Sequence, residues 1–276
     1  AELIKDADPQ TALSNKRFPW LSARKIELGM CPVNAIRVAY TGELGWELHY
    51  PIEFGRYLWD LIWSVGEKHG LKGVGARAQN WLRQEKSYRA FGTELGRDAT
   101  PLEAGLDRFV DLSKDFQGKE AMLATGIRSK CVTVLIDGPA DADPWGKEAL
   151  LLNGEKIGRL TSGGWSVAFG KQIGMGYVRP ELAVPGTKLK VKMLRQEWDA
   201  VVVEDSPFDP TNARIRIDGN ERVWVDDQPV QARRSDGALV FRRGPVMFTV
   251  QGDRRLVGED VWRDTDAGTQ GPIVAD

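Results

Sequence analysis

The sequence predicts an α+β protein in which helices and a short sheet come first, a small antiparallel β-barrel follows and a β-rich extension comes last. Two early stretches have the hydrophobic spacing of amphipathic helices. From about residue 130, short β-rich runs are separated by Gly, Pro and Asn turns, which is typical of a small antiparallel barrel or sandwich. The β character continues after residue 219 with separate turns. We therefore predict domains at residues 1–128, 129–219 and 220–276.

Residues 34–50 predict an antiparallel hairpin or a bulged strand, because two extended stretches flank a Thr-Gly-Glu turn. Side-chain alternation along a strand places Glu47 and His49 on one face and Leu48 on the opposite face. Glu43 stands beside a glycine, where a carboxylate is common in turns, and is interpreted as the turn residue. This segment therefore presents a carboxylate and an imidazole side by side.

Helical spacing predicts two helices, at residues 54–69 and 75–91. Gly70 ends the first of them, as a glycine commonly does after the last helical turn. A further helix is predicted to start near Gly118. The charged side chains of the second helix are interpreted as a solvated face: Arg77, Arg83, Lys86 and Arg89.

Composition restricts the class of protein. The 276 residues are 42% hydrophobic, which excludes a disordered chain, and 38 basic against 39 acidic residues leave a net charge of -1. No global field therefore draws the protein to nucleic acid or to a membrane surface, and no apolar run reaches the roughly 20 residues that cross a bilayer. Cys31 and Cys131 lack metal-ligand spacing, and we expect a reducing, cytoplasmic compartment.

Common catalytic motifs are absent from the sequence. There is no nucleophile elbow, phosphate loop, H-E-x-x-H motif or dinucleotide fingerprint. The two histidines, His49 and His69, predict neither a metal site nor a catalytic triad. The remaining carboxylates, arginines and aromatic residues suit the binding of a planar, nitrogen-rich ligand.

Five segments in order resemble the tetrahydrofolate-binding aminomethyltransferase, or glycine cleavage T-protein, family, and are most similar to the folate domain of dimethylglycine and sarcosine dehydrogenases. They are YTGELGWEL at 40–48, LRQEKSYRAFG at 82–92, TPLEAGL at 100–106, FQGKEA at 116–121 and GRLTSGG at 158–164. The resemblance implies an aminomethyltransferase-type folate fold, with a partial ferredoxin-like α+β subdomain before the barrel. It also implies a one-carbon-group transferase that moves a methyl or methylene group from an N-, S- or O-methylated small molecule to tetrahydrofolate.

The resemblance implies roles for individual residues. Tyr40 matches a folate-contacting tyrosine, and Glu47 matches the carboxylate that accepts hydrogen bonds from the pterin ring, with Leu48 and His49 beside the ligand. Arg83 could pair with that carboxylate or with the acidic tail of the folate. An ion-pair scaffold is the equally open alternative for Arg83.

Two further positions are expected at the ligand. Arg108 stands where the dehydrogenase relatives place a folate-contacting tyrosine, and it could meet the glutamate tail or a different substrate. Trp165, directly after TSGG, could cover the channel that holds the folate in this family.

The family's catalytic aspartate is expected to lie outside this sequence, so no catalytic residue is assigned. We expect a second polypeptide or a preceding segment to complete the site, within a larger oxidoreductase or a heteromeric complex. The alternative hypothesis is a non-catalytic folate-fold module that binds a ligand or another subunit.

Overall fold

The computed structural model describes residues 17–139 and 141–215, the single positions Ile4, Ala7 and Leu13, and the strands that follow residue 222. The chain forms two compact units, and each is considered by itself. The N-terminal unit comprises residues 1–74 and 211–276, and the barrel unit comprises residues 75–210.

A three-stranded antiparallel sheet forms the centre of the described part of the N-terminal unit. Its strands are β1 (Ala23–Leu28), β2 (Cys31–Ile36) and β3 (Glu47–His49), in the order β1-β2-β3. Strands β2 and β3 pair antiparallel, as the hairpin prediction requires. The extended stretches predicted directly beside the turn are wrong, because residues 37–46 form a connection without strand structure. Because side chains alternate across a sheet, one face is apolar and buried, with Leu28, Cys31, Val33, Ala35 and the half-buried Leu48.

Helix α1 (Gly55–Gly66) covers this buried face. Leu58 is fully buried against the sheet, and the half-buried Leu61 and Ile62 pack beside it, as the helical spacing predicts. A short 3-10 turn extends the helix to His69, and Gly70 then adopts a left-handed conformation with φ of 69°. The predicted helix and its glycine end are confirmed.

The barrel unit begins with helix α2 (Ala76–Glu85), and helix α3 (Lys119–Thr125) follows where a helix was predicted near Gly118. The prediction that the second helix continues to residue 91 is wrong. The helix ends at Glu85. Ser87 adopts φ of 53°, a left-handed conformation that does not occur within a right-handed α-helix.

Six strands then close into a barrel in which every pairing is antiparallel. In chain order they are β4 (Lys130–Ile136), β5 (Ala149–Leu152), β6 (Glu155–Ser166), β7 (Lys171–Val178), β8 (Lys188–Met193) and β9 (Gln196–Val203). The strands follow one another around the barrel as β4-β7-β6-β5-β8-β9. The interior is filled by aliphatic side chains, so the barrel is a packed core: Val134, Ile136, Leu150, Leu160 and Val191 are fully buried.

The predicted β-rich extension contains strands. They are β10 (Val223–Val225), β11 (Gln228–Val230), β12 (Ala232–Ser235), β13 (Ala238–Arg243), β14 (Val246–Gln251) and β15 (Trp262–Arg263). They form one two-stranded and one four-stranded sheet. Among the described residues, no helix has the length and apolar character needed to span a bilayer.

Candidate functional site

The outward face of the three-stranded sheet carries the carboxylate and the histidine that the sequence singled out. Glu47 and His49 both lie on this face of β3, and His49 Nε2 lies 3.3 Å from Glu47 Oε2. Their side chains are 56% and 57% exposed, respectively. Within the described ranges, His49 is the one partner recorded for the Glu47 carboxylate. The face therefore offers a carboxylate with vacant acceptor positions.

Leu48 lies on the opposite face, where it packs against the core of the N-terminal unit. Its side chain points away from Glu47, because adjacent residues of a strand point to opposite faces of the sheet. Tyr40 is half-buried at the start of the bend that leads to β3. The structure thus brings Glu47 and His49 together in space and separates them from the side chain of Leu48.

The loop before β3 is held by specific contacts. Arg37 is buried, and its Nη1 donates to the carbonyl oxygen of Phe18 at 2.6 Å. The Arg37 guanidinium also lies 5.8 Å from the ring centroid of Trp46, and the Phe18 and Trp46 rings meet edge to face. A Cβ at Gly45 would crowd Ala39, so a side chain there would displace the loop. These contacts fix the backbone immediately before Glu47.

Glu43 lies in the bend at residues 40–44, as the turn interpretation predicts. Its two carboxylate oxygens accept from Arg214 Nη1 at 3.3 Å and 3.5 Å. Arg214 belongs to the part of the chain that returns to the N-terminal unit after the barrel. The ion pair therefore ties the returning segment to the loop that carries Tyr40 and precedes Glu47.

Arg83 lies in the barrel unit and is engaged on all sides by protein groups. Its Nη1 donates to Glu94 Oε2 at 2.8 Å and to the carbonyl oxygen of Tyr88 at 2.8 Å. Its Nη2 donates to Ser162 Oγ at 2.6 Å, and its Nε donates to Asn80 Oδ1 at 2.9 Å. The side chain is only 1% exposed. Every nitrogen of this guanidinium thus has an acceptor inside the barrel unit.

Sequence reasoning missed Glu94, which is the partner of Arg83. Both Glu94 oxygens are buried, and they accept from Thr161 Oγ1 at 2.7 Å, from Ser162 Oγ at 2.5 Å and from the Ala90 amide at 3.0 Å. Burial raises the pKa of the carboxyl, but Arg83 and these donors outweigh it and hold the pKa of Glu94 below its ordinary value. The network fastens the loop after α2 to β6.

The interpretation of the charged residues of the second helix as a solvated face is correct for Arg77, which is exposed and pairs with Asp143. It is wrong for the other three. Arg83 and Lys86 are buried, and the Arg89 side chain is 8% exposed. Each of the three side chains donates to protein acceptors, because a buried cation requires such partners. Arg83 has acceptors in the Glu94 network, and Lys86 and Arg89 have acceptors in the segment that follows the last barrel strand. Lys86 Nζ donates to the carbonyl oxygens of Phe208 and Asp209, and Arg89 pairs with Asp205.

Arg108 and Trp165 also lie in the barrel unit. Arg108 is exposed on a 3-10 turn (Asp107–Phe109), with its guanidinium 4.7 Å from the ring centroid of Phe109. Trp165 is half-buried on β6. A ligand role for Arg83, Arg108 and Trp165 stays a prediction. Within residues 17–139 and 141–215, no group of His, Cys, Asp and Glu side chains is arranged to hold a metal ion.

Comparison with known proteins assigns a family. The GCVT N-terminal domain model matches residues 1–114, and the glycine cleavage T-protein C-terminal barrel domain model matches residues 130–209. The chain belongs to the glycine cleavage T-protein family. The second model coincides with the closed six-stranded barrel of the structure. The predicted fold, an α+β region followed by a small barrel, is therefore confirmed.

Several dehydrogenases and aminomethyltransferases are similar in sequence to this chain. The mitochondrial dimethylglycine dehydrogenases of Rattus norvegicus and Homo sapiens are each 37% identical over 218 residues, which cover 76% of this chain and 25% of theirs. A probable aminomethyltransferase of Thermococcus gammatolerans is 33% identical over 218 residues, which cover 69% of this chain and 54% of that protein. The chain thus spans about a quarter of the first relatives and about half of the last.

A solved member of the family has the same fold. The crystal structure of the glycine cleavage system aminomethyltransferase T from Bartonella henselae matches with a TM-score of 0.64 and 23% sequence identity. The match covers 75% of this chain and 56% of that chain.

Proposed function

We propose that this chain takes part in tetrahydrofolate-dependent one-carbon transfer, and that the outward sheet face of its N-terminal unit holds the pterin ring. The observation that carries the proposal is the exposed Glu47 carboxylate, fixed on a strand beside His49 with further acceptor positions vacant. Membership of the glycine cleavage T-protein family, and the names of the dehydrogenase and aminomethyltransferase relatives, support the same reaction class.

The residues of this face fit a pterin. A 2-amino-4-oxo pterin presents adjacent N–H donors, and a carboxylate accepts two such donors in a charge-assisted pair. Glu47 meets this requirement because it is accessible and has no arginine or lysine partner among the described residues. When bound, tetrahydrofolate supplies the nitrogen that accepts the one-carbon unit.

This chain's own residues bind and orient in the proposed reaction. Glu47 would accept the pterin donors, and Tyr40 would contact the folate from the bend before β3. No residue of this chain is assigned the role of the family's catalytic aspartate. Holding the reactants in a fixed geometry is itself a large part of catalysis, so a binding chain contributes directly to the rate.

The donor in this proposal is a small molecule with a methyl group on nitrogen, sulfur or oxygen. The names of the dimethylglycine and sarcosine dehydrogenase relatives favour an N-methylated amine. A reducing, cytoplasmic location belongs to the same proposal and is supported by two free, buried cysteines.

Calorimetric titration of tetrahydrofolate into the intact protein, under anaerobic conditions, tests the proposal. Charge-assisted hydrogen bonds contribute about 1.5–3 kcal/mol, so Glu47→Gln should weaken binding about 10-fold to 100-fold. Glu53→Gln is the matched control, because it removes an equal charge from an exposed position just after β3 and should leave the affinity unchanged. Absence of binding by the wild-type protein contradicts the proposal and favours the non-catalytic module.

A further inference from the structure

We propose that His49 is a positioning residue for Glu47, and that its hydrogen bond orients the carboxylate that receives the pterin. This inference rests on the proposed function and adds a role that the family assignment does not provide. It begins with the 3.3 Å contact between His49 Nε2 and Glu47 Oε2 on the outward face of β3.

The strand geometry places the two side chains next to each other. Residues two positions apart on a strand point to the same side, about 6.5–7 Å apart along the chain, so the two side chains stand parallel. The backbone under them is paired to β2, where His49 stands opposite Asn34 and Glu47 stands opposite Ile36.

The contact leaves room for a ligand. An ionised carboxylate has about four lone-pair positions, and the His49 ring uses one of them on Oε2. No partner of Oε1 is recorded in the described ranges. The neutral His49 ring must carry its proton on Nε2 to donate to Glu47, since an unprotonated Nε2 would repel the carboxylate. Donation from His49 therefore limits rotation of the carboxylate while both oxygens remain available to pterin donors.

Loss of this hydrogen bond would free the Glu47 carboxylate to rotate. A variant without a donor at position 49 should therefore bind tetrahydrofolate more weakly, because ordering the carboxylate then costs more on binding.

Among the described residues, the other charged positions of this sheet face lie on β1. The outward positions of β2 are neutral, and those of β1 include Lys25 and Glu27. Lys25 stands opposite Asn34, so it lies two strand spacings, or about 10 Å, from His49. The short turn after β3 carries Glu53, and helix α1 packs on the opposite face of the sheet. Among the described residues, His49 is thus the ionisable side chain that contacts Glu47.

The test is tetrahydrofolate titration of the intact protein at pH 8 with matched variants. His49→Gln keeps a neutral N–H donor, so its affinity should stay within about 3-fold of wild type. His49→Ala removes the donor and should bind several-fold more weakly. His69→Gln is the control, because it replaces the other histidine of the chain and should keep the wild-type affinity.

The outcomes separate the two proposals. No binding by the wild-type protein overturns the proposed function and this inference with it. Wild-type binding that is lost on Glu47→Gln, together with an unchanged affinity in His49→Ala, overturns this inference alone. An affinity of His49→Gln as low as that of His49→Ala also overturns it. Rescue of the affinity by Gln, but not by Ala, distinguishes positioning from a packing role.

Discussion

Arg83 Nη1 lies 2.8 Å from Glu94 Oε2, and both side chains are almost completely buried in the barrel unit. The pair is completed by Ser162, which donates its hydroxyl to Glu94 and accepts from Arg83 Nη2. Two charges are stable in such a place only when every donor and acceptor is satisfied. The pair therefore belongs to the architecture of the barrel unit, whatever further part Arg83 has in ligand binding.

Breaking this pair should destabilise the barrel unit. Removing one member of a buried ion pair leaves an uncompensated charge and costs about 3–5 kcal/mol, so Arg83→Met should lower the free energy of unfolding in urea by that amount. The double variant Arg83→Met with Glu94→Leu should lose less than the two single variants together, because no charge remains buried. Arg56→Ala, which breaks the exposed pair with Asp60, is the control and should change stability by less than about 0.5 kcal/mol. An Arg83→Met variant as stable as the wild-type protein would contradict this account.

Glu103 predicts an acid-dependent loss of stability. The Arg128 side chain and the backbone amides of Thr100 and Arg128 donate to its buried carboxylate and hold the pKa of Glu103 at about 2, against an ordinary value of 4.5. Because the folded pKa is the lower one, the stabilisation is present above about pH 5 and is lost as the pH falls from 5 towards 2. Glu103→Gln should therefore cost about 2–3 kcal/mol at pH 7, after allowance for the exposure of Arg128.

The measurement is the urea midpoint of both proteins at several pH values. The difference between Glu103→Gln and wild type should shrink as the pH approaches 2. Glu155→Gln, an exposed position of the barrel unit, should follow the wild-type profile. A difference that does not change with pH would mean that Glu103 acts through packing and not through its charge.

Gly164 marks a close approach between helix α2 and the barrel. A Cβ at this position would overlap the indole ring of Trp81, which the glycine accommodates. Gly164→Ala should therefore lower the melting temperature and cost about 1–3 kcal/mol through overpacking. Gly96→Ala is the control, because no atom lies within 4 Å of its added Cβ. Trp81→Leu should recover part of the loss when combined with Gly164→Ala, and its failure to do so would argue against this contact.

The ion pair between Arg214 and Glu43 should couple the returning segment to the loop before β3. Both side chains are partly exposed, so a double-mutant cycle with Arg214→Met and Glu43→Gln should give a coupling free energy of about 0.5–1 kcal/mol. Denaturant unfolding of the four proteins supplies the cycle. Strictly additive effects of the two substitutions would contradict the pairing.

Local sequence patterns predicted the elements that carry the candidate site. Period-two alternation placed Glu47 and His49 on one face, and the pairing of β2 with β3 confirms this. The apolar spacing before Gly70 predicted helix α1 and its end. These features depend on neighbours a few residues apart, which is why a single sequence reveals them.

The charged residues of helix α2 depend on distant partners, and the sequence could not reveal their environment. Helical periodicity shows which residues share a face and not what covers that face. Arg83 donates to Glu94, eleven positions later, and to Ser162 on β6. Lys86 donates to the carbonyl oxygens of residues 208 and 209. The helix end was also missed, because the left-handed Ser87 is fixed by tertiary hydrogen bonds to Thr133 and to the amide of Ser206.

A crystal structure of the intact protein with tetrahydrofolate tests the central claim most directly. The account predicts that the pterin lies on the outward face of the three-stranded sheet. Its 2-amino group and adjacent ring N–H should lie about 2.7–2.9 Å from the oxygens of Glu47. A pterin bound elsewhere, with the Glu47 carboxylate free in solvent, would contradict the account.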